Sequence, residues 1–464
     1  MSFDDLPRRN FLSACMAGAA AASNAQTGGS RPNILYIHSH DSGRYLQPYG
    51  HAVPAPNLQR LAEGGVLFRQ AFNAAPTCSP SRASLLTGTC PHSNGMFGLA
   101  HRGFALRDYK EHLAHTLRAA GYSSALIGLQ HIARDPAVIG YDQVTEVRGN
   151  HAEDVAPRAA EFLGRVHEPF FLDVGFFETH RPYRQPGSKE DGRFCLPPVP
   201  IPDTPQSRAD IAAFKASARV LDDGVGVVLN ALESHGLPDK TLVISTTDHG
   251  IAFPDMKCHL TDAGMGVSLI MRGPGGFSGG KVCDAMVSHL DIFPTLCELL
   301  DIEKPPRLQG TSMLPLVRGN AREIHEEIFA EVNYHAAYEP KRAVRTHGWK
   351  YIRHFDGREH PNLPNCDDGP SKTYWLDNGW RNQIVEPEQL YDLVFDPNET
   401  RNLARDPLAR TALEEMRRRL DRWMHATADP LLDGPIAAPP GALANDPDGT
   451  SPNEEPKTIG RGRV

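Results

Sequence analysis

Cysteine is scarce, 8 residues in a chain of 464, so a disulfide framework does not hold this fold together. Basic residues are not in excess. Lys and Arg number 48 against 56 Asp and Glu, giving a net charge of −8, which excludes the electrostatic footprint of a nucleic-acid-binding surface. No apolar run reaches the roughly 18 residues that a membrane-spanning helix needs. No internal repeat is present, and 41 Gly and 39 Pro without a period exclude collagen and coiled coil while implying many loops. What remains is a globular composition. Hydrophobic residues make up 40% and charged residues 22%, enough apolar chain for a large core. The length suggests about two or three domains.

Both ends differ from the body. Arg8-Arg9-Asn10-Phe11-Leu12, an Ala-rich run to Ala22 and Ser23-Asn24-Ala25 have the order of an export signal. The arginine pair resembles a twin-arginine leader, so residues 1–30 are expected to direct export to the periplasm. Residues 434–464, rich in Pro, Gly, Asn and Asp, are expected to be a flexible tail.

Between them, β-rich and helical segments alternate. Asn33–Ile37, Ala125–Gly128, Phe170–Phe176, Thr241–Thr246 and Val267–Met271 read as buried strands. Asn57–Ala62, Ala114–Ala120 and Ile211–Ser234 read as helices. Such alternation predicts an α/β catalytic domain over 31–325, a large and mostly parallel sheet flanked by helices. Past residue 320 the rhythm changes. Ile328–Val332, Lys341–Arg345, Trp349–Arg353 and Leu390–Leu393, then a charged helix over 407–427, predict a smaller α+β domain of antiparallel strands over 326–433.

The sharpest motif is Cys78-Ser79-Pro80-Ser81-Arg82 followed by Leu86-Thr87-Gly88, C-x-P-S-R-x4-T-G. Other chemistry-bearing residues fall at expected strand ends. His40-Asp41 follows the first strand and Asp248-His249 the fourth, where ligands gather in open α/β sheets. His131 and His180 also follow strands, and Lys257 lies nine residues after Asp248.

The Cys78 motif resembles the signature of the type I sulfatases, of the alkaline phosphatase superfamily. Asn94–Leu99, Gly250–Pro254 and the stretch from Arg208 to Gly226 resemble its sulfamidase-like members. The resemblance implies that a maturation enzyme oxidises Cys78 to Cα-formylglycine. The chemical logic is independent of ancestry. A Ser or Cys attacking sulfate leaves an ester that water must cleave. An aldehyde hydrate attacks with one hydroxyl and expels sulfate by collapse through the other. The resemblance further implies a divalent cation, Ca²⁺ with Mn²⁺ as an alternative, held by His40, Asp41, Cys78, Asp248 and His249. It implies that Arg82 steadies the hydrate, that His131 takes a proton from it, that His180 contacts the ester and protonates the leaving group, and that Lys257 binds sulfate oxygens. The expected partner is a sulfated saccharide or an aryl sulfate, with O–S and N–S cleavage both open.

Three departures matter. His40-Asp41 stands where most such enzymes have Asp-Asp. His249 replaces an Asn. Leu129 occupies the lysine position of a G-K-x-H motif, so a sulfate-binding cation is missing, and Arg44 or Arg102 is a candidate to replace it. Imidazole in the ligand set softens the site and resembles phosphonate monoester and phosphodiester hydrolases of the same superfamily. A sulfatase, such a phosphorus hydrolase and a weakly active sulfated-glycan-binding protein are therefore the three readings.

Overall fold

Strand β1 (Asn33–Ser39) is buried along its whole length because both of its faces are covered. Ile34 and Tyr36 enter one apolar cluster, Leu35 and Ile37 the other. That is why the strand reads as a continuous apolar run and not as an alternation. The same two-sided burial applies to β5 and β6 below. The computed structural model describes residues 31–460; the expected export segment lies outside them.

The larger sheet contains β1, β2 (Val66–Phe72), β3 (Ser123–Gly128), β4 (Gln143–Thr145), β5 (Phe170–Gly175), β6 (Thr241–Thr247), β7 (Leu269–Arg272) and β8 (Lys281–Ser288). Their order is β4-β3-β5-β1-β6-β7-β2-β8. Neighbours run parallel except at β7, which is antiparallel to both β6 and β2. Helices Pro56–Gly64, Ala152–Leu163 and Pro205–Ser234 cover one face; Cys78–Thr87, Leu113–Ala119 and Ile292–Leu300 cover the other.

A second sheet, β9 (Glu327–Tyr334), β10 (Tyr338–Thr346), β11 (Trp349–His354) and β12 (Glu388–Asp392), is antiparallel in the order β12-β11-β10-β9. Helix Arg410–Ala426 packs on it through Leu413, Met416, Leu420 and Met424. The two sheets share core. Phe72, Leu260 and Met286 cluster with Ile328, Ala343 and Ile352, and the chain from Pro32 onward is one compact unit.

The expected strands and helices are present, several extended by a few residues. β2, β4, β8 and helix Ala152–Leu163 were not among the expected elements. β8 lies at the sheet edge with its first half largely exposed, and such mixed strands lack a two-sided apolar run. Residues 434–460 differ from the expected tail. They form a hairpin, β13 (Ala442–Ala444) with β14 (Lys457–Ile459), because Ile436 and Ala442 find places in the core.

Candidate active site

Strands β3, β5, β1 and β6 are consecutive in the sheet. Their C-terminal ends deliver His131, His180, His40-Asp41 and Asp248-His249 respectively. Ser39 sits in register with Thr247, so the two aspartates leave adjacent strands side by side. The Asp41 amide donates to Asp248 Oδ1 at 2.9 Å. Asp41 takes a left-handed conformation, φ 47°, which turns its carboxylate back toward the neighbouring strand. Cys78 reaches the same place by another route, as the first residue of helix Cys78–Thr87. The positive end of that helix favours negative charge here.

The five proposed ligands converge. His40, Asp41, Cys78 and Asp248 each offer one donor atom, all within 4.8 Å of one another. His249 Nε2 lies 3.3 Å from Cys78 Sγ, 3.4 Å from Asp41 Oδ1 and 3.8 Å from Asp248 Oδ2. All five residues are buried. His40 Nδ1 approaches Asp248 Oδ2 to 2.9 Å without making a hydrogen bond, and Asp41 Oδ1 is also buried and unpartnered. Buried polar atoms are normally paired. Unpaired atoms aimed at one point among two carboxylates, two imidazoles and a sulfur fit a divalent cation. Burial raises the Asp248 carboxyl, but His249, Arg82 and His40 outweigh it and hold it well below the usual range. For Asp41, Lys257, His180 and His249 likewise outweigh burial. Both carboxylates remain anionic. Burial pushes the unmodified Cys78 thiol well up, so as a thiol it is a poor nucleophile.

Arg82 acts one layer behind. Its Nε and Nη2 donate to Asp248 Oδ2 at 3.2 and 3.0 Å, Nη2 also donates to the Ser39 carbonyl at 2.7 Å, and Nη1 meets His38 Nδ1. Arginine only donates, so His38 Nδ1 accepts and its proton sits on Nε2. Nε2 then donates to Asp173 Oδ1 at 2.9 Å, and Tyr141 donates to Asp173 Oδ2 at 2.5 Å. A buried chain Tyr141–Asp173–His38–Arg82 thus fixes Asp248. The guanidinium expected to steady the hydrate thus also holds the Asp248 carboxylate in place. His38 and Asp173 were not among the expected site residues, although each is a polar residue within a buried strand.

In front of Cys78 opens a cavity of about 340 Å³, walled by His101, His131, His180, Arg181, His335 and Asp367 among others. His131 Nε2 is 2.9 Å from His101 Nδ1 and its Nδ1 is unpartnered. Burial, then His40 and His101, hold its pKa well below the ordinary value, so it is a neutral base. His180 Nδ1 donates to the Arg181 carbonyl at 2.6 Å, leaving Nε2 to face Lys257 at 3.4 Å. Lys257 is 1% exposed and donates to Asp41 at 2.9 Å and Asp367 at 2.7 Å. Burial opposes its charge, but Asp367 and Asp41 hold its pKa well above the usual value. Asp367 and His335 come from the C-terminal part and carried no motif. A larger cavity of about 690 Å³, lined by Asp255, Lys341 and Trp375, contains none of these groups; chemistry, not size, picks the site.

Arg44 does not join them. It stacks on Phe72 and lines a separate cavity with Tyr45 and His51. Arg102 does line the catalytic cavity, but its guanidinium bonds Asn445 Oδ1 and the Ala336 and Pro452 carbonyls. Neither arginine replaces the charge lost at Leu129; the buried Lys257 ammonium lies behind the cavity wall, against His180 and Asp367.

The sulfatase family model matches residues 32–302, and that of the C-terminal part of N-sulphoglucosamine sulphohydrolase matches 252–383. The human N-sulphoglucosamine sulphohydrolase is 31% identical, over 89% of this chain and 93% of its own length. An ulvan-active sulfatase of Formosa agariphila is 28% identical over 88% and 83%. Among solved structures, one in complex with its substrate D-glucosamine-2-N,6-O-disulfate superposes with a TM-score of 0.69 at 18% identity, covering 90% of this chain and 99% of that one. This chain therefore belongs to the sulfatase family, the hydrolases of sulfate esters and sulfamates.

Proposed function

We propose that this protein hydrolyses the sulfate ester or sulfamate of a sulfated saccharide, with Cys78, matured to formylglycine, as nucleophile. The observation that carries the reading is the position of Cys78 Sγ. It lies at the floor of the cavity, within reach of His40, Asp41, Asp248 and His249, and stands in for one hydrate oxygen. The modification supplies a geminal diol, one hydroxyl to attack sulfur and one to release sulfate. A bound cation, Ca²⁺ by family resemblance, supplies Lewis acidity that lowers the hydroxyl pKa and neutralises the sulfate.

The chain's own residues do the rest. His131, neutral and with a free Nδ1, receives a proton from the hydroxyl. Lys257 holds positive charge where sulfate oxygens gather and screens them from Asp41 and Asp367. His180, oriented by the Arg181 carbonyl, presents Nε2 to the leaving oxygen or nitrogen and delivers a proton there from its imidazolium form, which burial and Lys257 disfavour in the free site. The carrier sugar meets the rim of His101, His335 and Asp368.

Co-expression with a maturation enzyme and mass analysis of the peptide bearing residue 78 tests the nucleophile. Aldehyde in place of thiol is expected, with turnover abolished in Cys78→Ala; an unmodified thiol in active protein overturns it. His249 in the ligand set favours one second reading, hydrolysis of a phosphonate or phosphate diester. Parallel assay of p-nitrophenyl sulfate, a phosphate diester and N-sulfoglucosamine separates the two.

A further inference from the structure

The segment 445–454, unlike a free tail, returns to the catalytic cavity. Pro452 and Asn453 line the same space as Cys78. Four anchors bring them there. Arg102 Nη1 donates to Asn445 Oδ1 at 2.6 Å and Nη2 to the Pro452 carbonyl at 3.2 Å. The Asn445 amide donates to the Ala336 carbonyl at 2.8 Å, and its side chain to the Glu454 carbonyl at 2.8 Å. Asp368 Oδ2 accepts from the Ser451 hydroxyl and from Asn453 Nδ2 at 3.0 Å. Arg381 holds Thr450 and the Asp448 carbonyl. The β13–β14 hairpin closes the loop at its base.

The contacts divide the cavity by chemistry. Its floor at Cys78, with the Lys257 ammonium behind His180 and Asp367, takes the anion. Its rim at Asn453 offers an amide and the Asp368 carboxylate, whose other oxygen pairs with Lys372 at 2.8 Å. Arg102, the cation beneath the loop, is occupied by the loop itself. An amide beside a carboxylate suits hydroxyl groups, since the carboxylate accepts from O–H and the amide donates to it. We propose that loop 445–454 forms a subsite for the uncharged, hydroxyl-bearing part of the carrier ring, with Asn453 as its specificity-determining residue and Asn445 as the positioning residue that sets the loop.

The inference rests on the sulfatase reading for its kinetic arm only. In the full chain, Asn453→Ala and Asn445→Ala are each assayed on glucosamine 2-N-sulfate and on p-nitrophenyl sulfate, whose flat carrier has no hydroxyl to offer. The ratio of kcat/KM for the saccharide to that for the aryl sulfate should fall about tenfold, the size of one or two lost hydrogen bonds, through KM for the saccharide. A merely structural role would lower both substrates together and leave the ratio unmoved, which overturns the proposal. Hydrogen exchange on the Cys78→Ala protein gives an arm independent of turnover. Glucosamine 2-N-sulfate should slow exchange in 445–454 and p-nitrophenyl sulfate should not. Unchanged exchange with the saccharide overturns the subsite even if the wild type is an active sulfatase. Protection with no turnover of either substrate by the wild type supports the subsite and counts against the reaction.

Discussion

Lys257 Nζ donates to Asp41 Oδ2 at 2.9 Å, joining residues 216 positions apart, and the same ammonium holds Asp367 at 2.7 Å. A strand end of the large sheet and a loop of the C-terminal part therefore share one buried charge. Lys257→Met keeps the aliphatic stem and removes the charge, leaving two buried carboxylates facing each other. Removing one partner of a buried pair costs about 3–5 kcal/mol. The expected outcome is a lower urea midpoint at unchanged m value, together with a fall in kcat of about 10²–10³-fold, as for loss of one donor to a developing anion. A normal kcat in the variant would remove Lys257 from the sulfate site.

Arg82 grips Asp248 with two of its nitrogens. Lysine keeps the charge but not the fork, so Arg82→Lys should leave Asp248 free to swing. Outer partners of metal ligands are typically worth about 10–100-fold in metal affinity. Competition with a graded chelator series should show that loss, with activity restored by excess Ca²⁺. Wild-type activity should disappear in chelator and return with the metal; indifference to chelator would sink the cation itself.

His180 is assigned to the leaving group, and leaving groups differ in how much they need a proton. A sugar alkoxide or amine leaves poorly without one, whereas p-nitrophenolate leaves readily. His180→Gln should thus lower kcat on a saccharide sulfate by about 10²–10⁴-fold, the usual worth of general acid catalysis, and lower it far less on p-nitrophenyl sulfate. Equal losses on both substrates would show that His180 binds sulfate instead of protonating the departing atom.

The strand-end residues were readable in sequence for a physical reason. Strands buried on both faces are uniform apolar runs, so the first polar residues after them, His40-Asp41 and Asp248-His249, stand out. Cys78 was marked by its motif. Helix Ala152–Leu163 and edge strand β8 gave no such contrast. Asp367 and Asn453 were illegible because what makes them functional is distance in space: their partners Lys257 and Asp368 lie 110 and 85 positions away. Composition misled at 434–460, where Pro and Gly shape a bonded loop instead of a free chain. Arg82 was found, but its role depended on which acceptors its guanidinium meets.

Away from the catalytic cavity, His92 and Glu331 form a buried pair whose stabilisation is expected to fade at high pH. His92 Nδ1 contacts Glu331 Oε2, and its backbone amide donates to Oε1 at 2.7 Å. Arg342 and Asp429 close the network, with Nη2 donating to Asp429 Oδ1 at 3.0 Å. Burial opposes the imidazolium, but Glu331 outweighs it and raises the His92 pKa to about 10. A folded-state pKa above the unfolded value of about 6.5 means that stabilisation is fully present below about 6.5 and is lost as pH rises through about 10. His92→Gln retains a donor toward Glu331 but does not titrate. Thermal unfolding of both proteins from near-neutral to alkaline pH should show the wild type ahead at the lower end. Its advantage should shrink steadily as pH rises. A constant gap would mean that His92 is neutral in the native state and contributes only packing.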